Sequence, residues 1–179
     1  MANTSLYRFR IELSNVDQGI YQGLDFRLVL HPSETIAFLL TRMLAYAFNA
    51  QEGLKFSAEG LSNPDDPAIS LEDPRGGLAL WIEIGNPSAR RLHKASKAAR
   101  EVKVYTYKNP QPLLAEMRAN NVHQAEKIEV FSLSEKFLSE LEEALERDNT
   151  WSVLLSDGLI TVGIDGETVE GELGRHDLA

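Results

Sequence analysis

The sequence contains no cysteine. Disulfides, thiolate metal ligands and cysteine nucleophiles are therefore excluded, and any bound metal must use oxygen or imidazole ligands. Positive charge is also scarce, with 18 basic residues against 27 acidic ones and a formal net charge of -9. That excess opposes non-specific attraction to a phosphate backbone. No long hydrophobic run is present: the longest apolar stretch, within residues 36–47, is interrupted by Thr41 and Arg42 and is too short to cross a bilayer. Residues 1–6 lack a charged start followed by an apolar run, so no signal peptide is expected. Repeats, linkers and low-complexity tracts are missing, and Gly76-Gly77 is a lone turn pair without the Lys-Ser/Thr of a phosphate loop. These absences imply a cytoplasmic chain with no membrane partner.

What remains is 179 residues, 43% of them hydrophobic, enough for one core. A single domain over residues 1–179 and a monomer are expected. Tyr7, Phe9, Ile11 and Leu13 alternate with polar residues, as do Leu24, Phe26, Leu28 and Leu30, predicting two antiparallel strands. Pro32 opens a helix over residues 33–49 whose apolar residues cover most of its circumference. Strands follow at 54–58 and 68–72, separated by a polar loop over 62–67. The turn 74–77 then leads into the strand 78–84. That strand is apolar except for Glu83, as befits one covered on both faces. Ser88 caps a helix to about residue 100; a strand over 102–107, a helix over 112–120 and a strand over 128–133 follow. Ser134 caps a glutamate-rich helix to about residue 147. The pairs Asp157-Gly158 and Asp165-Gly166 mark a closing antiparallel meander, and residues 174–179 are expected to be loose. The fold class is α/β (α+β), with a mixed sheet flanked by helices.

Glu83 is the most informative residue. A carboxylate inside an apolar central strand costs several kcal/mol unless a cation or hydrogen-bond donors satisfy it. With the hairpin turning at Arg75 and Gly76, Ala68 lies opposite Glu83 and Asp66 is its diagonal neighbour, roughly 7–8 Å away at the backbone. Two carboxylates so placed suit one divalent ion. In the same register Asp73 pairs with Leu78, about 16 Å from Glu83, so Asp66 is preferred as the first acid. On the following helix the stripe Leu92, Ala95, Ala99 puts Arg91 and Lys94 on one flank and Lys97 toward solvent. Glu34 is a candidate third carboxylate from the first turn of the buried helix.

Each candidate has a plainer alternative. Glu83 with Arg91 or Lys94 makes a buried ion pair. Asp66 initiates a strand through a proline turn, and Glu34 answers the helix dipole. His31 is read as a turn residue, and His93, His123 and His176 have no metal-ligand spacing. The acids from Glu135 to Glu146 are read as a solvated face.

His31-Pro32-Ser33-Glu34-Thr35, Asp66-Pro67, Trp81-Ile82-Glu83-Ile84-Gly85 with Pro87, Arg91 and Lys94-Ala95, and Tyr105-Thr106-Tyr107 together resemble the YaeQ family of bacterial proteins over most of the chain. The resemblance implies a core similar to the PD-(D/E)XK, or restriction-endonuclease-like, nucleases: helix, three strands, helix, strand. In that superfamily two acids on neighbouring strands bind magnesium, and a lysine two residues after the second acid helps activate water. Asp66 and Glu83 match the acids, and Glu34 resembles an extra helical acid. The lysine position is Gly85 here, so Lys94 would have to reach the same space from the helix.

The resemblance thus implies a phosphodiesterase or nuclease using Mg2+ or Mn2+ at Asp66, Glu83 and Glu34, with Arg91 holding phosphate and Lys94 stabilising charge. Nucleic acid would meet the Arg91/Lys94 flank. The alternative is a non-catalytic binding or regulatory protein on a degenerate nuclease-like fold, favoured by Gly85 and the acidic surface. A protein adaptor acting through the glutamate-rich helix has only charge behind it.

Overall fold

The computed structural model describes residues 5–57 and 66–178. In chain order the elements are β1 (Ser5–Asn15), β2 (Ile20–Leu30), α1 (Ile36–Phe48), β3 (Lys55–Phe56), β4 (Ile69–Glu72) and β5 (Leu78–Ile84). Then come α2 (Ala89–Ala98), β6 (Ala99–Thr106), α3 (Gln111–Ala119), β7 (Glu129–Ser132), α4 (Glu135–Ala144), β8 (Asp148–Ser156), β9 (Leu159–Ile164), β10 (Glu167–Glu172) and β11 (Gly174–His176). Among the described residues this is a mixed α+β chain with two mixed sheets and four α-helices. It divides into two compact units, Met1–Ala50 with Leu133–Leu173, and Gln51–Ser132 with Gly174–Ala179. No helix among the described residues is long and apolar enough to cross a membrane.

The first unit holds a five-stranded sheet in the order β10-β9-β8-β1-β2. The alternation read in residues 7–13 and 24–30 sets it up: β1 and β2 pair antiparallel without a break from Ser5↔Leu30 to Asn15↔Ile20. Phe9, Ile11, Leu13 and Leu28 are buried on one face. β8 adds parallel to β1, so the closing strands form more than a meander. Asp157-Gly158 and Asp165-Gly166 do close two-residue hairpins, all four residues having positive φ. Helix α1 is buried around most of its circumference, every residue from Phe38 to Ala45 being buried, whereas α4 buries one side through Phe137, Leu138 and Leu141.

α1 begins at Ile36, not at residue 33. The Thr35 side chain caps it by accepting from the Phe38 N–H at 3.1 Å. Ahead of the cap, residues 31–34 close a turn instead of a first helical coil, with the Glu34 N–H donating to the His31 carbonyl at 2.9 Å.

The second unit holds a six-stranded sheet in the order β11-β7-β6-β5-β4-β3. β3, β4 and β5 form an antiparallel meander, β5, β6 and β7 run parallel, and β11 returns antiparallel to β7. α2 connects β5 to β6, and α3 lies between β6 and β7. On one sheet face Trp81, Val102, Val104 and Val130 join Leu92 and Ala95 of α2 and Leu113, Leu114 and Met117 of α3 in a single core cluster. Residues 54–58 make a two-residue strand only, part of that range lying outside the described residues.

Two further expectations are corrected. Helix α2 ends at Ala98 and β6 starts at Ala99 with no intervening loop, so Arg100 is a strand residue. The tail is not loose: Gly174–His176 forms β11 on β7. The Ser132 hydroxyl and His176 Nε2 lie 2.7 Å apart, and Arg118 donates to the Leu178 carbonyl at 3.1 and 3.2 Å.

Candidate functional site

The hairpin register that prefers Asp66 holds where it matters. Ile69 pairs with Ile82 and Ser70 with Trp81, so the line of pairs extends to Ala68 opposite Glu83. It fails at the turn end, where a bulge between Leu71 and Glu72 sets Glu72, not Asp73, opposite Leu78. Asp73 closes the turn instead. Its N–H donates to the Gly77 carbonyl at 3.0 Å, and its buried carboxylate accepts from the Arg75 N–H at 2.9 Å and pairs with Arg75 and Arg100. The Arg75 backbone donor comes first among the causes that hold the Asp73 acid below the usual carboxylate range, with Arg75 and Arg100 charges adding to it. Asp73 therefore ties the hairpin to the start of β6.

Strand parity sends Trp81 and Glu83 to the same face of β5. In β6 they stand opposite Val102 and Val104, so Glu83 is a carboxylate set among hydrocarbon, and only 6% of its side chain is exposed. Two donors satisfy it. The Trp81 indole Nε1–H donates to Oε1 at 2.6 Å, and Arg91 Nε donates to Oε2 at 2.6 Å. Arg91 also donates from its terminal nitrogen to the Asp66 carbonyl. One guanidinium thus bridges the central strand and the segment leading into β4, bringing the Asp66 and Glu83 positions around a single cation.

Local sequence explains why Arg91 is there. The Ser88 hydroxyl caps α2 by accepting from the Arg91 N–H at 3.1 Å, which fixes Arg91 as the third residue of the first turn. That turn contains no acid, and Arg90 and Arg91 are both cationic beside the positive end of the helix dipole. Such a helix start favours a nearby anion, and Glu83 supplies it. Lys94, one turn further on, is exposed. The plainer reading of Glu83 as half of an ion pair is thus met by Arg91.

Gly85 has φ +93, and a Cβ there would lie 3.6 Å from the Tyr107 ring. Space is available, but the left-handed backbone disfavours any side chain, which accounts for a glycine here. Just beyond it the Thr106 hydroxyl donates to Asn86 Oδ1 at 2.7 Å, and Asn86 Nδ2 donates to the Asn109 carbonyl at 2.9 Å.

Glu34 belongs to the first unit, where its surroundings are local. Oε1 accepts from the His31 N–H at 2.8 Å, and the carboxylate is the counter-charge felt by Arg42, whose pKa burial pushes down. The glutamates of α4 behave as expected of a solvated face, with Glu140 and Glu143 joined by Glu146 just past the helix and by Asp165 and Glu167 along an open groove of about 560 Å³. Among the described residues no group of three or more His, Asp or Glu side chains is arranged to hold a metal ion.

Two participants escaped the sequence reading. Trp81 is the second donor to Glu83, and its signal was its position two residues earlier on the same strand face. Arg42, buried in the middle of α1, stands in the sequence as an interruption of an apolar run, although a buried cation calls for a nearby anion.

The family model described as YaeQ protein matches residues 1–173. The YaeQ protein of Escherichia coli K12 is 28% identical over 170 residues, covering 94% of this chain and 93% of that protein. The YaeQ protein of Salmonella typhi is 29% identical over 157 residues, covering 87% and 86%. Crystal structures of YaeQ proteins are similar in fold. That from Xanthomonas axonopodis pv. citri gives a TM-score of 0.88 at 28% identity over 98% of this chain and 99% of that one. The Pseudomonas syringae protein gives 0.86 at 26% identity over 98% of each. The chain belongs to the YaeQ family.

Proposed function

We propose that this chain is a Mg2+- or Mn2+-dependent phosphodiesterase acting on nucleic acid, built on a restriction-endonuclease-like core in which Arg91 latches the acid pair. The order of α1, the antiparallel β3, β4 and β5, then α2 and the parallel β6 supports that core. The observation that carries the reading is the Arg91 guanidinium, which bonds both Glu83 and the Asp66 main chain. Those two bonds put one cation beside the Glu83 carboxylate and the Asp66 main chain.

The donor chemistry fits a hard divalent ion. Mg2+ is commonly held by one or two carboxylates, with water and substrate phosphate completing its shell, and Asp66 and Glu83 offer that pair once Arg91 swings from Glu83. When bound, such an ion lowers the pKa of a coordinated water and screens phosphate charge. The chain's own residues then divide the remaining work. Trp81 keeps Glu83 oriented through Oε1, the released Arg91 grips a non-bridging phosphate oxygen, and Lys94 on the same helix flank steadies charge developing at phosphorus. Hydrolysis forms one P–O bond to water and breaks the P–O bond to the leaving sugar oxygen, which takes up a proton. The positive first turn of α2 gives nucleic acid a local landing point on a chain that is acidic overall.

A second reading, a non-catalytic binding protein on a degenerate nuclease-like fold, is favoured by the full satisfaction of both Glu83 oxygens and by the left-handed Gly85. Labelled single- and double-stranded DNA and RNA incubated with millimolar Mn2+ separate the two. Cleavage by the wild type, lost in Glu83→Gln and Lys94→Ala, supports the phosphodiesterase. Tight binding of nucleic acid without cleavage supports the second reading.

A further inference from the structure

The edge of the first unit's sheet carries a self-complementary pattern that the phosphodiesterase reading does not use. Among the described residues β2 is an edge strand, eleven residues long. It has no proline or lysine and pairs with β1 without a bulge, so three common devices that blunt an open edge are missing. The direction of its free backbone groups follows from β1. Arg8 pairs with Asp148 in the parallel β1–β8 ladder, its N–H donates to the Arg147 carbonyl at 2.8 Å and its carbonyl accepts from the Asn149 side-chain Nδ2 at 3.1 Å, so both Arg8 main-chain groups turn toward the β8 side. Arg8↔Arg27 is therefore a non-hydrogen-bonded pair. By alternation Tyr21, Gly23, Asp25, Arg27 and Val29 direct their N–H and C=O groups outward from the sheet. All five are exposed.

Charge selects the register. Arg8 and Arg27 stand directly opposite one another, in the pair type that brings side chains closest. Arg8 is satisfied diagonally by a two-pronged bond to Asp25 at 2.7 and 3.0 Å. Arg27 has no ion pair of its own among the described residues. Two β2 strands joined antiparallel about a two-fold axis can be centred on several residues while keeping outward groups opposed. Centring on Asp25 or Arg27 opposes like charges, and centring on Leu24 leaves Arg27 facing Tyr21. Centring on Phe26 sets Asp25 against Arg27 of the second copy, twice by symmetry. It also sets Phe26 against Phe26 and Leu24 against Leu28 on the inner face.

We propose that β2 is a homodimerisation edge, at which a second copy of this chain adds antiparallel about Phe26 and the two sheets become one of ten strands. This replaces the expectation of a monomer. The contact is short, so association is weak and concentration-dependent, of micromolar order.

Sedimentation velocity of the full chain, from roughly micromolar to roughly a hundred micromolar, tests it. The wild type is expected to shift from monomer to dimer across that range. Arg27→Asp should weaken association at least roughly tenfold. The double variant Asp25→Arg with Arg27→Asp should restore it, because opposite charges again face across the axis while Asp at position 27 stands opposite Arg8. The register is read separately by thiol chemistry, since the chain has no cysteine of its own. Phe26→Cys should oxidise to a covalent dimer, whereas Leu24→Cys should not, because its counterpart is Leu28 of the second copy. A wild type that stays monomeric throughout, or a dimer indifferent to both the reversal and the swap, overturns the proposal.

Discussion

Removing Arg91 leaves the Glu83 carboxylate with a single donor inside a hydrocarbon layer, and the consequence can be sized. Breaking a fully buried ion pair from one side costs about 3–5 kcal/mol. The Glu83 side chain is 6% exposed and that of Arg91 23%, so water partly replaces the lost partner and Arg91→Ala should cost about 2–3 kcal/mol. Glu83→Gln keeps an acceptor for the Trp81 indole and loses only the charge, at about 1–2 kcal/mol. Once Glu83 is neutral, deleting Arg91 removes little more, so the double variant should approximate Glu83→Gln alone and show a coupling of about 2–3 kcal/mol. Trp81 and Trp151 lie in different units, so a shared Trp151→Phe background lets Trp81 fluorescence report urea unfolding of the second unit. Additive effects, with coupling below about 0.5 kcal/mol, would refute the latch.

Asp73→Asn tests the turn that joins the hairpin to β6. The folded-state pKa of Asp73 is lowered, so its contribution is present above the unfolded carboxylate value near 3.9 and is lost as pH falls through the lower folded value. The melting temperature of the wild type should fall more steeply than that of Asp73→Asn over this acid range, and parallel curves would contradict the assignment. Gly171→Ala places a Cβ 2.5 Å from the buried Phe137 ring, so it should destabilise the first unit by about 1–3 kcal/mol in urea unfolding. An unchanged midpoint would mean that the ring moves freely. Gly85→Lys puts a side chain on a left-handed backbone and should cost about 1–3 kcal/mol of stability in the second unit, read by urea unfolding.

How much of this was legible in the sequence depended on whether the signal was local. Alternation in residues 7–13 and 24–30, the Ser88 and Ser134 caps and the two Asp-Gly hairpins are properties of a few neighbouring residues, and each reappears in the structure. The burial of Glu83 followed from one charge in an apolar strand, whereas helical spacing put Arg91 and Lys94 on one flank without choosing between them. Longer-range features were harder. The parallel pairing of β8 with β1 joins residues about 140 positions apart, and nothing local announces it. The β11 tail looked loose because three polar residues make a strand only when β7 offers an edge and Ser132 meets His176. The first turn of α1 was misplaced because Pro32 suits a helix start as well as the turn that it occupies, and the decisive cap was Thr35.

The proposed metal site at Asp66 and Glu83 is tested most directly by calorimetric titration of Mn2+ into the wild type, Arg91→Ala and Glu83→Gln. Saturable binding in the wild type, tighter in Arg91→Ala where the competing guanidinium is gone, and lost in Glu83→Gln, is the predicted result. Absence of binding in both the wild type and Arg91→Ala would contradict the account and leave Glu83, Trp81 and Arg91 as a purely structural clasp.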